Sequence, residues 1–324
     1  MSITSLSLQQ AENSEWRFVS PEYPPEIYEQ YYNICEEWDS SQNANPHKLI
    51  NELILIITNY PSFLDAYSLL GMIFSDCNKK DISHKIWLIA GQLLLQAIPK
   101  SFDFQRDTLN YYILPNRSFF RSYFNLGLTY FENANDEKID FLRQANLKLA
   151  AEVFQNLVNI NRSDNVGARD LLVPCYLGLE DYEKVLEVCS LYEDGETTDP
   201  SILYGRVLAA LKLRKRARAR QWLQVAIKYR PLVAQILLKV NPKQPIDYSA
   251  NAYTCGGADE AYNYWQQNYK YWQAFPESLQ LISEHQSLIL EVNAQKSREW
   301  GSSLLKPENR KPYPEIFSLE ESGV

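Results

Sequence analysis

Tyr67-Ser68-Leu69-Leu70-Gly71-Met72-Ile73-Phe74 and Tyr123-Phe124-Asn125-Leu126-Gly127-Leu128-Thr129-Tyr130 are one string in outline: an aromatic, two residues, Leu-Gly, two residues, an aromatic. The first is followed by Trp87 and Ala90, the second by Ala150, Phe154 and Leu157. Two shorter echoes follow, Arg169, Leu172, Tyr176, Val185, Cys189 and Tyr192, then Leu203, Val207, Ala210, Ala219, Leu223, Ala226 and Pro231. Spacings of three and four put these residues on single helix faces, two helices to a unit. From Arg169 to Leu203 the period is 34 residues. Each such pair leaves an apolar face that only a neighbouring pair can cover, so the pattern calls for a stack.

That period is the length of a tetratricopeptide unit. The expected fold is all-α, a tetratricopeptide-like right-handed helical-repeat solenoid with a degenerate first repeat over 26–60 and C-terminal capping helices. Small residues such as Gly71, Ala90 and Ala226 would let paired helices approach, and large aromatics would fill the space between stacked pairs. Residues 1–20 are polar and aperiodic and are expected to be poorly ordered; 21–231 form the array. A crossing segment and packed C-terminal helices, 259–274 and 276–293, occupy 232–295, and 296–324, with Pro307, Pro312 and Pro314, form an irregular tail. The residues from Pro99 to Ser118 read as a packed excursion, and those around Asn133 to Phe141 as an insertion lengthening a turn. Pro174, inside a first helix, should kink it.

The chain carries a formal net charge of -8, which at long range repels polyanions and disfavours nucleic acid and anionic membranes. Its five cysteines form no CxxC pair and read as small packers in a reducing, cytoplasmic setting, with no structural metal implied. No stretch approaches the roughly 20 apolar residues that span a bilayer. The histidines His47, His84 and His285 are isolated in sequence, and no HExxH, GxSxG or P-loop string occurs. The expectation is therefore no catalytic residue, no cofactor and no metal.

Four further strings, Asn116-Arg117-Ser118-Phe119-Phe120-Arg121, Asp164 to Leu172, Leu203-Tyr204-Gly205-Arg206 and Gly257 to Tyr262, resemble landmarks of bacterial tetratricopeptide proteins similar to the suppressor of tumorigenicity 7 family. The resemblance covers roughly 60–275. It implies the repeat fold and a binding-module class and carries no catalytic residues. Ser118 stands where that family usually has Pro, and the stretch from Arg230-Pro231 to Gly257 is longer than its linker. The membrane association of the animal members does not follow, because this chain lacks the apolar spans.

First helices line the concave side of such arrays, so Arg117, Arg121, Arg169 and Arg206, at the starts of first helices, are candidates to clamp a partner's carboxylates. With Phe124, Asn125, Asp170 and Tyr204 they make up the candidate partner-binding groove; Leu128, Phe131 and Leu208 share its register. The alternative is that Arg169 and Arg206 pair with Asp164, Asp170 or Asp199 and fix the packing, and that the aromatics are core. Lys212, Arg214, Lys215, Arg216, Arg218 and Arg220 form a basic patch at a turn. It suits an acidic partner or RNA phosphate, or is simply a solvated turn, since its interleaved residues are Ala rather than stacking aromatics. The aromatic helix around Tyr262, Trp265 and Trp272 reads as a cap buried on several sides.

The function expected is that of a non-enzymatic protein–protein interaction scaffold or adaptor holding a protein segment or peptide in the groove. The alternatives are an RNA-associated or acidic-partner-binding protein using 212–220, and a homo-oligomeric structural protein.

Overall fold

The computed structural model describes residues 5–11, 15–40, 45–192, 199–246, 248 and 253–304. The described residues are mostly helical, with one small sheet, and the chain divides into two compact units, Met1–Gly205 and Arg206–Val324. The division falls at Gly205, whereas the repeat pattern in the sequence runs on to Pro231.

The first unit opens with strands β1 (Ser7–Gln10) and β2 (Glu15–Val19), followed by helices α1 (Pro25–Ser40), α2 (Pro46–Asn59), α3 (Leu64–Asp76) and α4 (Lys80–Gln96). Strand β3 (Thr108–Leu109) precedes α5 (Leu114–Asp136), α6 (Asp140–Ile160), α7 (Ala168–Gly178), α8 (Tyr182–Ser190) and the start of α9 (Pro200–Lys212). Each helix from α1 to α7 packs on the next, and α3, α5 and α7 also pack in succession.

Local sequence accounts for many of the boundaries. The side chain of Asn45 accepts hydrogen bonds from the His47 and Lys48 amides and Pro46 occupies the first turn, which sets the start of α2. Its buried Leu49, Leu53 and Ile56 then face Ile34, Phe63, Leu69 and Ile73. Gly71 is needed for close approach: a Cβ there would lie 2.1 Å from Nε1 of Trp87, whose indole packs onto α3 from α4. Gly127 plays the same part against Phe154, where a Cβ would come within 2.8 Å.

Three hairpins share one turn. Asn78, Glu180 and Arg214 have φ of 58°, 58° and 59°, each the middle of three linking residues. At each, the following amide bonds back five residues: Lys79 to the Phe74 carbonyl at 2.8 Å, Asp181 to Tyr176 at 3.0 Å, Lys215 to Ala210 at 2.7 Å. The middle amide bonds to Ser75, Leu177 or Leu211. These two bonds define a Schellman motif, which satisfies carbonyls that the helix end leaves open.

The N-terminus differs from the sequence reading. Residues 7–10 and 15–19, expected to lack order, pair as an antiparallel hairpin whose second strand lies parallel to β3. Trp16 and Phe18 alternate into the core at 4% and 1% exposure, against Phe102 and Phe119. This alternation is too short to stand out, and its partners lie about a hundred residues away in sequence, within the 99–118 excursion and α5. The residues around 133–141 do not lengthen a turn; α5 continues through Asp136 and only three residues link it to α6. The surplus is taken up as extra helical turns, where Glu132 and Asn133 meet His84 of α4. α7 runs unbroken from Ala168 to Gly178 with Pro174 inside it.

The second unit holds the rest of α9, then α10 (Arg216–Tyr229), α11 (Pro231–Leu237), α12 (Ala258–Gln273), α13 (Pro276–Ser283) and α14 (Gln286–Leu304). The helix expected over 276–293 is thus two, parted at Glu284-His285, and the second runs on to Leu304, past the expected start of the tail. The remainder of that tail, 305–324, and most of the crossing segment after Ile246 lie outside the described residues. α12 is buried on several sides: Tyr262, Tyr264 and Trp272 are inside, and Trp265 stacks on Tyr269 with ring centroids 4.9 Å apart. A buried ion pair, Arg230 Nε to Glu260 Oε2 at 2.8 Å, joins the end of α10 to the start of α12.

Candidate functional site

Within the first unit, α5 carries Arg117, Arg121, Phe124 and Asn125, and α7 carries Arg169 and Asp170. The two helices pack on each other, so the chain does bring these candidates to one set of neighbouring first helices. Most of their charge is already engaged. Arg121 Nη2 donates to Asp65 Oδ1 at 2.6 Å and its Nε to the same oxygen at 3.0 Å, while Ser118 Oγ donates to Oδ2 at 2.6 Å. Asp65 lies in the first turn of α3, so this cluster ties α5 to α3. The Arg121 side chain keeps 45% exposure, leaving part of its donor fork open to solvent. Arg117 lies over the ring of Tyr111, 5.3 Å from its centroid. Phe124 packs on Phe154 and, like Asn125, is half-buried.

At the head of α7, Gly167 takes φ 71°, and Asp164, itself at φ 49°, accepts the amides of Ala168 at 2.8 Å and Arg169 at 3.0 Å. Arg169 Nε stands 3.7 Å from Asp164 Oδ2 and 3.8 Å from Asp170 Oδ1, beyond hydrogen-bond length. Its guanidinium covers the Tyr192 ring at 4.5 Å. Burial pushes the Asp164 carboxyl up to about 6, against the pull of those two amides and of Arg169. Asp170 is also raised, by burial, then by the charge of Asp199 and a hydrogen bond with it, then by Asp164. Asp199 in turn accepts the amides of Ser201 and Ile202 at the start of α9. Asp164 and Asp199 thus place like charge beside the buried Asp170, an arrangement that favours a retained proton.

Tyr204 is the correction in this set. It is fully buried, as are Phe131 and Leu208 at 3% and 1% exposure, so these three belong to the core and cannot touch a partner. They sit on inward helix faces, which helical register alone does not separate from a groove wall. Leu128 is half-buried. Arg206 belongs to the second unit and is buried, its guanidinium 5.5 Å over the Trp222 ring.

The basic patch splits into two faces. Lys212 lies over Phe275 at 4.6 Å, Arg216 donates to Glu277 at 2.5 Å, and Arg220 donates to Glu284 at 2.8 Å. Arg214, Lys215 and Arg218 are exposed, and Arg218 lies 5.4 Å over Trp222. Sequence reading missed Asp65, Tyr111, Trp222, Glu277 and Glu284, and took Tyr192 only as a repeat position. The partners of Arg121, Arg216 and Arg220 lie 56, 61 and 64 residues away, and nothing local marks them.

Among the histidines, His84 bridges Glu132 Oε2 at 2.8 Å and Asn133 Oδ1 at 3.0 Å, and His285 Nδ1 lies 2.9 Å from the Leu281 carbonyl. No group of three acidic, His or Cys side chains is placed to hold a metal among the described residues. No helix among them is long and apolar enough to cross a membrane. No protein-family model matches the chain, and no curated protein matches it in sequence.

Proposed function

We propose that this chain is a non-enzymatic interaction module, a tetratricopeptide-like scaffold or adaptor that holds a protein segment against its first helices. The recurrent turn carries this reading. Glu180 and Arg214, which share φ and both closing hydrogen bonds, are 34 residues apart, and Asn78 precedes Glu180 by three such periods. A period kept in turn chemistry, beyond hydrophobic spacing, is what a chain built from one repeated helix pair would carry. The succession of α3, α5 and α7 supplies the surface, with the half-buried Phe124 and Asn125 and the exposed Arg121 as its contact residues. The resemblance to bacterial tetratricopeptide proteins like the suppressor of tumorigenicity 7 family agrees with this reading. Five free thiols suit a cytoplasmic protein.

The test is affinity capture from native lysate with the full chain and with two variants. Arg121→Glu with Arg169→Glu reverses the groove charge; Asn125→Arg blocks the surface without breaking an ion pair. Loss of the same captured proteins in both variants, with unchanged circular dichroism, supports the groove. Identical capture by all three chains refutes it.

A further inference from the structure

The second unit carries a cationic surface that its own fold leaves half used. Lys212, the last residue of α9, lies over Phe275, and Arg216 and Arg220 of α10 reach the carboxylates of Glu277 and Glu284 while staying exposed themselves. Arg214, Lys215 and Arg218 point elsewhere, exposed and without an ion pair to any described carboxylate. Their position is electrostatically unfavourable. A helix N-terminus carries partial positive charge and favours acidic residues and an Asp, Ser or Thr cap. α10 instead begins with Lys215 as its cap, without a side-chain capping bond, and has no acidic residue in its first turn. Arg214 further occupies the left-handed region at φ 59°, where Gly or Asn is cheaper. Three local preferences are thus set aside at one exposed spot.

We infer that the surface formed by Arg214 and Lys215 of the turn before α10 and by Arg218 of α10, beside Trp222, is a docking surface for an acidic protein segment. Charge complementarity indicates the occupant. Arg216 and Arg220 of the same helix already take two carboxylates through single guanidinium contacts, Glu277 in the first turn of α13 and Glu284 at its C-terminal cap. An acidic segment laid against Arg214, Lys215 and Arg218 would repeat that pairing. Nucleic acid fits less well. The one aromatic at the surface, Trp222, is half-buried and its ring lies beneath the guanidinium groups of both Arg206 and Arg218, so it offers no open platform for a base. The chain's net charge of -8 also opposes a long polyanion. This inference stands apart from the groove, because it uses residues of the second unit only.

The experiment is fluorescence anisotropy on the full chain with two probes: a labelled helical peptide bearing glutamate at every fourth position, and a labelled single-stranded RNA. The variant is Lys215→Glu with Arg218→Glu, which places acidic residues where the helix end prefers them, so its melting temperature should hold or rise. Expected are saturable peptide binding that weakens with salt, and a loss of about tenfold or more in affinity in the variant. Absence of peptide binding overturns the proposal, as does equal affinity in the variant. So does RNA binding more tightly than the peptide, which would make this a phosphate surface. The groove variants Arg121→Glu and Asn125→Arg should leave peptide affinity unchanged, so the two surfaces fail or succeed separately.

Discussion

His84 Nε2 lies 2.8 Å from Glu132 Oε2, and with Asn133 at its other ring nitrogen this imidazole clasps α4 to α5. The hydrogen bond to Glu132 raises the His84 pKa above 6.5, outweighing burial and the nearby Lys80, and Asn133 adds to the rise. Glu132 is lowered: burial opposes this, but His84 and Lys80 prevail. A histidine raised in the folded state contributes stability that is whole below 6.5 and is lost as pH climbs through its folded value. For a lowered carboxyl the contribution is whole above 4.5 and is lost as pH falls through its folded value. Urea denaturation should therefore give His84→Gln a deficit of about 1–3 kcal/mol near pH 6 that shrinks in mildly alkaline buffer. A deficit independent of pH would contradict a charged clasp.

The carboxyl cluster at α7 has the opposite sense to the usual acid effect. Asp170 titrates above 3.8 when folded, so ionising it costs stability as pH rises from 3.8 through its folded value. Asp170→Asn, which mimics the protonated form, should be more stable than wild type at neutral pH. That advantage should vanish below pH 3.8, where the folded and unfolded chains are both protonated. Melting temperatures across a pH series would reveal a variant that is no better at neutrality.

Asn116 is fully buried and holds the sheet to α5. Its Oδ1 accepts the Phe18 amide at 2.7 Å and its Nδ2 donates to the Asn110 carbonyl at 2.8 Å. Asn116→Ala should cost about 2–3 kcal/mol, because both backbone groups lose a buried partner. Circular dichroism in urea provides the readout: the unfolding midpoint should fall to lower denaturant than in wild type.

Glu180 adopts φ 58° at a turn that glycine would occupy without steric cost. Glu180→Gly should raise stability by about 0.5–1 kcal/mol, the relieved left-handed strain being partly offset by the greater freedom of the unfolded chain. A lowered midpoint in urea would show that the Glu180 side chain has a role of its own.

Arg230 and Glu260 form an ion pair with side chains only 9% and 6% exposed, and the Gly256 amide also donates to Glu260, at 2.9 Å. Glu260→Gln should cost about 3–5 kcal/mol, because a buried guanidinium loses the carboxylate it meets at 2.8 Å. Replacing both residues by Met should recover most of that loss, since apolar side chains of similar volume escape the desolvation penalty. A double variant no better than the single one would assign the cost to packing.

How much was legible beforehand depends on distance along the chain. Helix pairs showed in the sequence because their determinants are local: the three-and-four spacing of Leu49, Leu53 and Ile56, Asn45 before Pro46, Gly71 with Trp87 one helix on. The basic patch was equally plain, being contiguous. The strands of the N-terminus were not, because Trp16 and Phe18 make sense only once Phe102, Leu109 and Asn116 stand beside them. Likewise the sequence offered Arg121, Arg169 and Arg206 as equals, and Tyr204 with them. Tertiary structure separated them, placing Arg121 on Asp65, Arg169 beside Asp164 and Asp170, Arg206 over Trp222 and Tyr204 in the core. Periodicity along one helix determines which residues share a face; whether that face meets water, a counter-charge or another helix depends on segments brought near only by folding.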